Sequence, residues 1–365
     1  MVMRSKIKTF RAFFLLLGLF CFLSINTQGE EVAKDAGHTA TNDGEHEKFN
    51  AGKFIIDHVT DKYEWHLWGS HEDPTSIPLP IILYSKEKGL NVFSSARFEH
   101  GKASCNGYKL THDGHIEAED NAEFYDFSIT KTTSEILLAC FLLLWVFLTV
   151  AKSYTRRTGL APKGLQSFIE PVILFVRDDI AKASIGEKHY ARFVPFLLTA
   201  FFFIFVNNML GLIPIFPGGA NVTGNIAVTF TLAFIVLIIT LFIGNKHYWG
   251  HILWMPGVPA WVKIFLLTPI EIIGVFQRPF VLMIRLFANI AAGHIVILSF
   301  VCLIFVFGSS SDLGGWLFSP ISMAFALFMN AMELLVAFLQ AYVFTLLTAM
   351  YFGACVEEPH HKERH

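Results

Sequence analysis

Between Phe265 and Phe307 the chain reads FLLTPIEIIGVFQRPFVLMIRLFANIAAGHIVILSFVCLIFVF. These 43 residues are almost wholly apolar. As a single α-helix they would run about 64 Å, twice the roughly 30 Å thickness of a bilayer's hydrocarbon core. A helix of that length fits a membrane only if it is strongly tilted, curved or broken. The stretch therefore indicates an integral membrane protein with an unusually long membrane helix.

The composition of the whole chain agrees with this interpretation. Hydrophobic residues make up 53% of the 365 residues and charged residues only 16%, against roughly 25% charged in typical soluble proteins. The mean hydropathy is +0.50. A net charge of -2 excludes a generally basic nucleic-acid binder, so we expect no nucleic-acid partner. The five cysteines form no CxxC pair, which excludes a disulfide framework or a cysteine-rich zinc site.

Apolar segments divide the second half of the chain into about five predicted membrane helices. They are residues 136–151, two spans within 193–245 separated at the Pro217-Gly218-Gly219 corner, residues 265–307 and residues 321–354. We expect the last two to form a tilted antiparallel hairpin with a loop near Gly308 to Gly315. The fold class is then an all-α multi-pass membrane protein, preceded by a small β-rich domain.

A further helix is predicted near residues 165–185, lying along the cytoplasmic surface of the bilayer. Its apolar positions Phe168, Val172, Phe175 and Val176 recur at helical spacing beside acidic residues. Such amphipathic spacing is typical of interfacial helices.

The amino-terminal part is predicted to be exported. Residues 1–28 have the basic, apolar and small-polar order of a secretory signal peptide, with an uncleaved anchor as the alternative. Residues 29–48 are small, polar and charged, which predicts a disordered linker. Residues 49–130 alternate short apolar stretches with Gly, Pro and Asp, which predicts a small extracytoplasmic β-rich domain. The membrane domain follows at 131–356 and a tail at 357–365.

The loops give a predicted orientation. Segments 152–192 and 246–263 are rich in Lys and Arg and should be cytoplasmic, whereas the loops near 216–224 and 308–319 lack both residue types and should face outside. Five crossings after an exported amino end leave the carboxyl tail in the cytoplasm. Both arguments give the same topology.

Several ionisable residues lie in or beside these apolar segments, where a charge costs about 2.5–3.5 kcal/mol. They are Glu271, Arg278, Arg285, His294 and Glu333. An internal salt bridge that only holds helices together is one interpretation, and it is a fair one for Glu271 and Arg278. A pathway for protons is the other, because His titrates near neutral pH and lies near an acid.

Arg285 differs from the rest because small residues share its helical face. Ala288, Asn289 and Ala292 lie on or beside that face, which favours close approach by another helix. Arginine stays protonated in proteins, so it acts as a permanent positive barrier and not as a proton carrier. His294 points roughly the opposite way.

The stretch RLFANIAAGH, from Arg285 to His294, resembles the signature of the a subunit of F-type ATP synthase. Four further stretches match the family in order: NNMLGLIP (207–214), TGNIAVT (223–229), PIEIIGVFQRPF (269–280) and MELLVAFLQAYVFTLL (332–347). The resemblance covers roughly residues 160–356, over half the chain. The exported domain lies outside the core family pattern.

The resemblance implies a role for each matching position. Arg285 corresponds to the essential arginine that faces the carboxylates of the rotating c-ring. The proton-pathway positions are His294, Glu333, Gln340, Asn289 and Glu271. Many bacterial relatives carry the acid at the His294 position and the histidine at the Glu333 position, so the pair is exchanged here.

A stator subunit of the FO proton channel is therefore expected, coupling proton flow through two half-channels to rotation and ATP synthesis. It would have no nucleotide site, metal or cofactor of its own. Its partners would be the c-ring, the subunit b peripheral stalk, protons and membrane lipid, in a bacterial inner membrane.

Three other classes of protein are weighed against this one. A secondary transporter would show an internal repeat with paired broken helices, and the sequence shows none. A membrane metallohydrolase would need a motif such as HExxH, whereas His247 and His251 have no glutamate between them. A receptor with an anchored ligand-binding domain would leave Arg285 unexplained.

Overall fold

The computed structural model describes residues 52, 61–68, 75–101, 103–111, 114–120, 122–156, 160–213, 218–253, 260–310 and 312–357. The predicted signal peptide, the predicted linker and nearly all of the predicted tail lie outside the described residues. The mostly helical membrane part and the small β-rich part before it are both present, as the sequence predicted.

Short antiparallel strands build the β-domain (residues 61–130). They are β1 Glu64–Trp68, β2 Thr75–Pro78, β3 Pro80–Ser85, β4 Gly89–Ser94, β5 Tyr108–Leu110, β6 Ile116–Ala118 and β7 Phe124–Asp126. β1 pairs with β2, β5 pairs with β6, and β4, β3 and β7 form a three-stranded sheet in that order. Not all of this part is strand, since Ser95–Gly101 form a 3-10 helix directly after β4.

The core of the β-domain follows from alternation along β3. Ile81 and Leu83 are completely buried, and Phe93, Phe98 and Tyr108 pack against them, because alternate side chains of a strand point to the same face of the sheet.

The helices occur in the following order. They are α1 Lys131–Arg156, α2 Leu165–Leu174, α3 Ala183–Ile185, α4 Tyr190–Gly211, α5 Ile226–Ile243, α6 Lys246–Leu253, α7 Ala260–Val262, α8 Thr268–Ser310 and α9 Asp312–Val356. Within the described residues five helices are long and apolar enough to cross a membrane: α1, α4, α5, α8 and α9. This confirms the predicted number of spans.

The segment near 165–185 is helical, as the sequence predicted. Residues Phe175–Lys182 are π-helical and separate α2 from α3. A π-helix winds more residues into each turn than an α-helix. Val176 is fully buried against the protein, whereas Phe168 is 75% exposed. The position of this segment along the bilayer surface stays a prediction.

The two long helices form an antiparallel hairpin. α8 has 43 residues and α9 has 45. The rings of Phe300 and Phe325 stack with centroids 5.3 Å apart, and those of Phe307 and Phe318 with centroids 4.1 Å apart. Later residues of α8 thus contact earlier residues of α9, as expected for antiparallel helices.

The predicted loop at Gly308 to Gly315 was wrong. α8 continues to Ser310 and α9 begins at Asp312, so the segment 308–319 is helical nearly throughout. The stack of Phe307 on Phe318 holds the two helix ends together at this tight connection. The tilt of the hairpin in the bilayer stays a prediction.

Candidate functional site

A histidine and a glutamate meet between the two long helices. His294 Nδ1 lies 3.5 Å from Glu333 Oε1, and the two side chains are 18% and 5% exposed. The antiparallel hairpin places α8 and α9 so that these residues face each other. Gly293 leaves room for the carboxylate, because a Cβ at that position would lie only 3.0 Å from Glu333 Oε1.

This pair borders a small polar cavity of about 10 Å³, which is room for about one water molecule. The cavity lies between the ends of α4, the loop before α5, and the middle of the hairpin. Its polar lining consists of Asn207, Asn208, Asn221, Thr223, His294 and Glu333. Amide, hydroxyl, imidazole and carboxylate groups around such a space can exchange hydrogen bonds with water.

Hydrogen bonds tie the cavity wall to α9. The Thr223 hydroxyl donates to Asn208 Oδ1, and Asn208 Nδ2 donates to the carbonyl of Ala337 at 3.3 Å. Ala337 lies one turn beyond Glu333 on α9. Within the described part of the chain, Glu333 Oε2 has no hydrogen-bond partner. The wall is therefore fixed, while one oxygen of the acid stays free for a ligand or proton.

Arg285 lies on a different face of α8. Its side chain is exposed, as are those of Ala288, Asn289 and Ala292. Among the described residues no carboxylate is within ion-pair distance of the Arg285 guanidinium. A charge at membrane depth needs an anionic or aqueous partner. The arrangement is therefore suited to a carboxylate on another chain that can approach this face.

The remaining predicted site residues are spread along the hairpin. Gln340 is buried on the same face of α9 as Glu333, two turns further on. Glu271 is half-buried in the first turn of α8, about 35 Å along the helix axis from His294. The structure thus brings His294 and Glu333 into contact, but places neither Asn289 nor Glu271 in the lining of their cavity.

Arg278 has a local explanation. Its guanidinium carbon lies 5.8 Å from the ring centre of Tyr351, a cation–π distance. No ion pair joins Arg278 to Glu271 in the described part of the hairpin, so the salt-bridge interpretation of these two residues is not supported.

Sequence reasoning missed the polar wall of the cavity and a buried acid outside it. Asn208 and Thr223 stood within two of the quoted motifs but were given no chemistry. Glu135 was given no role, although it is completely buried and its Oε2 accepts the amide hydrogen of Ala220 at 2.7 Å. A contact across 85 residues leaves no pattern in the local sequence.

The fold and the site define a multi-pass helical membrane protein with a buried acid–histidine pair inside the bundle and a fixed cation on an exposed helix face. Comparison with known proteins identifies the family. The family model described as ATP synthase A chain matches residues 134–353. The chain belongs to this family, whose members are the a subunits of the FO sector.

Individual relatives agree. The chain is 42% identical over 245 residues to ATP synthase subunit a of Chloroherpeton thalassium, covering 66% of this chain and 71% of that protein. It is 41% identical over 299 residues to ATP synthase subunit a 2 of Chlorobaculum tepidum, covering 78% and 80%. It is 39% identical over 246 residues to ATP synthase subunit a of Myxococcus xanthus, covering 66% and 77%.

The β-domain matches a separate family model. Residues 54–137 correspond to a domain of unknown function, DUF8433. This match extends over the junction with α1 and therefore includes the first turn of the membrane domain.

Proposed function

We propose that this chain is the stator half of the FO proton channel. Protons pass from the outer side through the cavity at Glu333 and His294 and neutralise a carboxylate of the c-ring. The ring then turns and releases its protons towards the cytoplasm by a second path. The observation that carries this proposal is the 3.5 Å contact of His294 with a Glu333 carboxylate that is only 5% exposed.

The chemistry of the pair suits proton transfer. A carboxylate and an imidazole in contact can each accept and release a proton. A polar cavity beside them can supply hydrogen-bonded water on one side. A pair that served only to hold helices together would not need such a cavity.

Arg285 is proposed to separate the two aqueous paths. Its side chain is exposed on a face of small residues, which leaves room for a rotor helix to pass closely. A permanent cation there favours the deprotonated form of a passing carboxylate and repels protons that would cross directly. Each returning carboxylate would therefore release its proton before it meets the outer path.

Gln340, Asn289 and Glu271 are proposed to complete the polar route. Gln340 shares the buried face of α9 with Glu333, and Asn289 shares the exposed face of Arg285. Glu271 lies about 35 Å from the outer pair along α8, which suits the second, cytoplasmic path.

The proposed orientation follows from the loops. The β-domain and the loop at 218–224 face outside, and the carboxyl tail faces the cytoplasm of a bacterial cell. The subunit has no catalytic site of its own. It works with the c-ring and the peripheral-stalk subunit b. Each proton that crosses releases roughly 2.3 kcal/mol for every 100 mV of membrane potential, and this energy drives the rotation.

Arg285→Ala tests this function directly. In inverted vesicles containing the intact complex, the variant should lose proton-driven ATP synthesis and gain a passive proton leak, because the barrier between the two paths is removed. Arg285→Lys should also fail largely, since a hydrated ammonium does not reproduce the guanidinium contact. Arg177→Ala is the matched control, because Arg177 lies outside the long hairpin and pairs with its neighbour Asp178.

Two outcomes would contradict the proposal. Normal coupling in Arg285→Ala would remove the stator role and restore a purely structural interpretation of the charges. If a sodium gradient in place of a proton gradient drove ATP synthesis by the purified complex, the transported ion would have been assigned wrongly.

A further inference from the structure

The β-domain contacts the loop that forms one wall of the polar cavity. Trp65 lies in β1 and is buried, and its indole Nε1 donates a hydrogen bond to the carbonyl of Gly218 at 3.2 Å. The two residues are 153 positions apart in the chain. A buried indole normally finds a hydrogen-bond partner for its single donor. Here that partner belongs to the membrane domain.

A second contact holds the same loop from α1. Glu135 lies in the second turn of α1 and is completely buried, and its Oε2 accepts the amide hydrogen of Ala220 at 2.7 Å. Its Oε1 has no hydrogen-bond partner among the described residues. Burying a carboxyl group is costly unless its bonds compensate. The hydrogen bond from the Ala220 amide to Glu135 therefore offsets part of this cost and holds the loop in place.

The loop itself lies flat against the end of α4. Gly219 has φ 87° and its amide donates to the carbonyl of Leu210 at 3.3 Å. A side chain at Gly218 would overlap the same carbonyl oxygen. Glycine is the residue that tolerates both conditions. Close backbone packing thus transmits any shift of the loop to the helix beside it.

The far end of the loop reaches the acid–histidine pair. Ala220, Val222 and Thr223 line the cavity together with His294 and Glu333. Thr223 bonds Asn208, whose amide bonds the backbone of α9 one turn from Glu333. Glu135 is not part of the lining. Hydrogen bonds and the loop backbone thus connect the β-domain to the turn of α9 that carries the acid.

We propose that Trp65 and Glu135 are positioning residues that clamp the 218–224 loop over the cavity, so that the β-domain sets the shape of the outer proton entrance. This inference rests on the proposed function. Glu135 acts as a hydrogen-bond acceptor for the loop and not as a carrier of the transported proton. The β-domain thereby acquires a role in the rate at which protons reach Glu333.

The test uses the intact complex in inverted vesicles, with the rate of ATP synthesis measured against the lumenal proton concentration at fixed membrane potential. Trp65→Phe and Glu135→Leu should raise the half-saturating proton concentration about tenfold, the effect expected for one lost hydrogen bond. The maximal rate should stay close to that of the unchanged chain, because a misplaced entrance limits the rate only when protons are scarce.

Glu135→Gln separates positioning from proton transfer. Its amide oxygen still accepts the Ala220 amide hydrogen, so its half-saturating concentration should match that of the unchanged chain. Trp145→Phe and Glu119→Leu are matched controls, since both side chains are exposed and lie outside the cavity lining. The amount of assembled complex is measured for every variant, and rates are given per complex.

Two results would overturn the clamp. If Glu135→Gln is impaired as strongly as Glu135→Leu, the acid takes part in proton transfer itself. If Trp65→Phe behaves like Trp145→Phe, the β-domain does not position the entrance; this comparison decides the matter even if Glu135→Leu does not assemble. A proton leak in Arg285→Ala together with an unshifted Trp65→Phe would leave the proposed function intact and remove only the clamp.

Discussion

Exchange of the acid and the histidine is the most informative perturbation of the proposed outer path. We predict that Glu333→Gln and His294→Ala each slow proton-driven ATP synthesis without adding leak. The double exchange, His294→Glu with Glu333→His, should recover part of the lost rate. It keeps one acid and one base in contact across the same hairpin position.

The size of the effect follows from the geometry. An imidazolium 3.5 Å from a carboxylate gains about 5 kcal/mol at an effective dielectric constant of about 20, before desolvation is subtracted. Without the carboxylate this attraction and one proton-transfer group are lost. Such groups typically contribute factors of about 10² to 10⁴. We expect single variants near the lower limit, since the polar cavity still admits water.

The exchanged pair fits because of Gly293. A Cβ at this position would lie 3.0 Å from Glu333 Oε1, so its absence leaves space for the broader imidazole at position 333. The measurement is ATP synthesis and passive proton leak in inverted vesicles carrying each variant. A double exchange no faster than either single variant would refute a shared path. Leak in the single variants would refute the separation of this entrance from the Arg285 barrier.

Two further predictions concern stability. Gly353→Ala should destabilise the complex by about 1–3 kcal/mol, because the added Cβ would overlap the carbonyl oxygen of Ser184. The measurement is the thermal midpoint in detergent, which should fall. Gly274→Ala is the control and should not lower the midpoint, because its Cβ would meet open space. Burial raises the pKa of the Asp61 carboxyl, although its bond to the Thr132 amide opposes the shift. The folded protein therefore favours the protonated carboxyl. Its stability falls as pH rises through the folded pKa. Asp61→Asn, which keeps the acceptor, should therefore resist proteolysis at the α1 junction better than the unchanged chain at neutral pH and lose that advantage in acid; equal resistance at both pH values would contradict the assignment.

Hydropathy was sufficient to predict the membrane fold because its cause is local. Each of the five long helices is an apolar run that must satisfy its own backbone hydrogen bonds in lipid. The connection between α8 and α9 was mispredicted for the opposite reason. Gly314 and Gly315 have low helix propensity, but packing of Phe307 on Phe318 favours helix on both sides of the turn. Tertiary contacts there outweigh local preference.

The site was predictable only in part. His294 and Glu333 were recognised as ionisable groups in apolar surroundings, a signal that each residue carries by itself. The wall of their cavity was not recognised, because Asn208 and Thr223 are ordinary polar residues until α4 and the following loop bring them together. The π-helical turn at Phe175–Lys182 was also missed. Nothing in the local composition marks it.

The β-domain contacts the membrane domain beside the cavity as well as at α1. A domain that served only as an anchor could be attached to α1 through Asp61 and the backbone of Lys62 alone. Trp65 instead bonds a loop on the other side of the junction, beside the cavity that leads to Glu333. In the proposed mechanism the entrance must stay open to water while the adjacent rotor surface moves. A cavity wall bonded to the β-domain meets that requirement better than a loop held by the membrane helices alone.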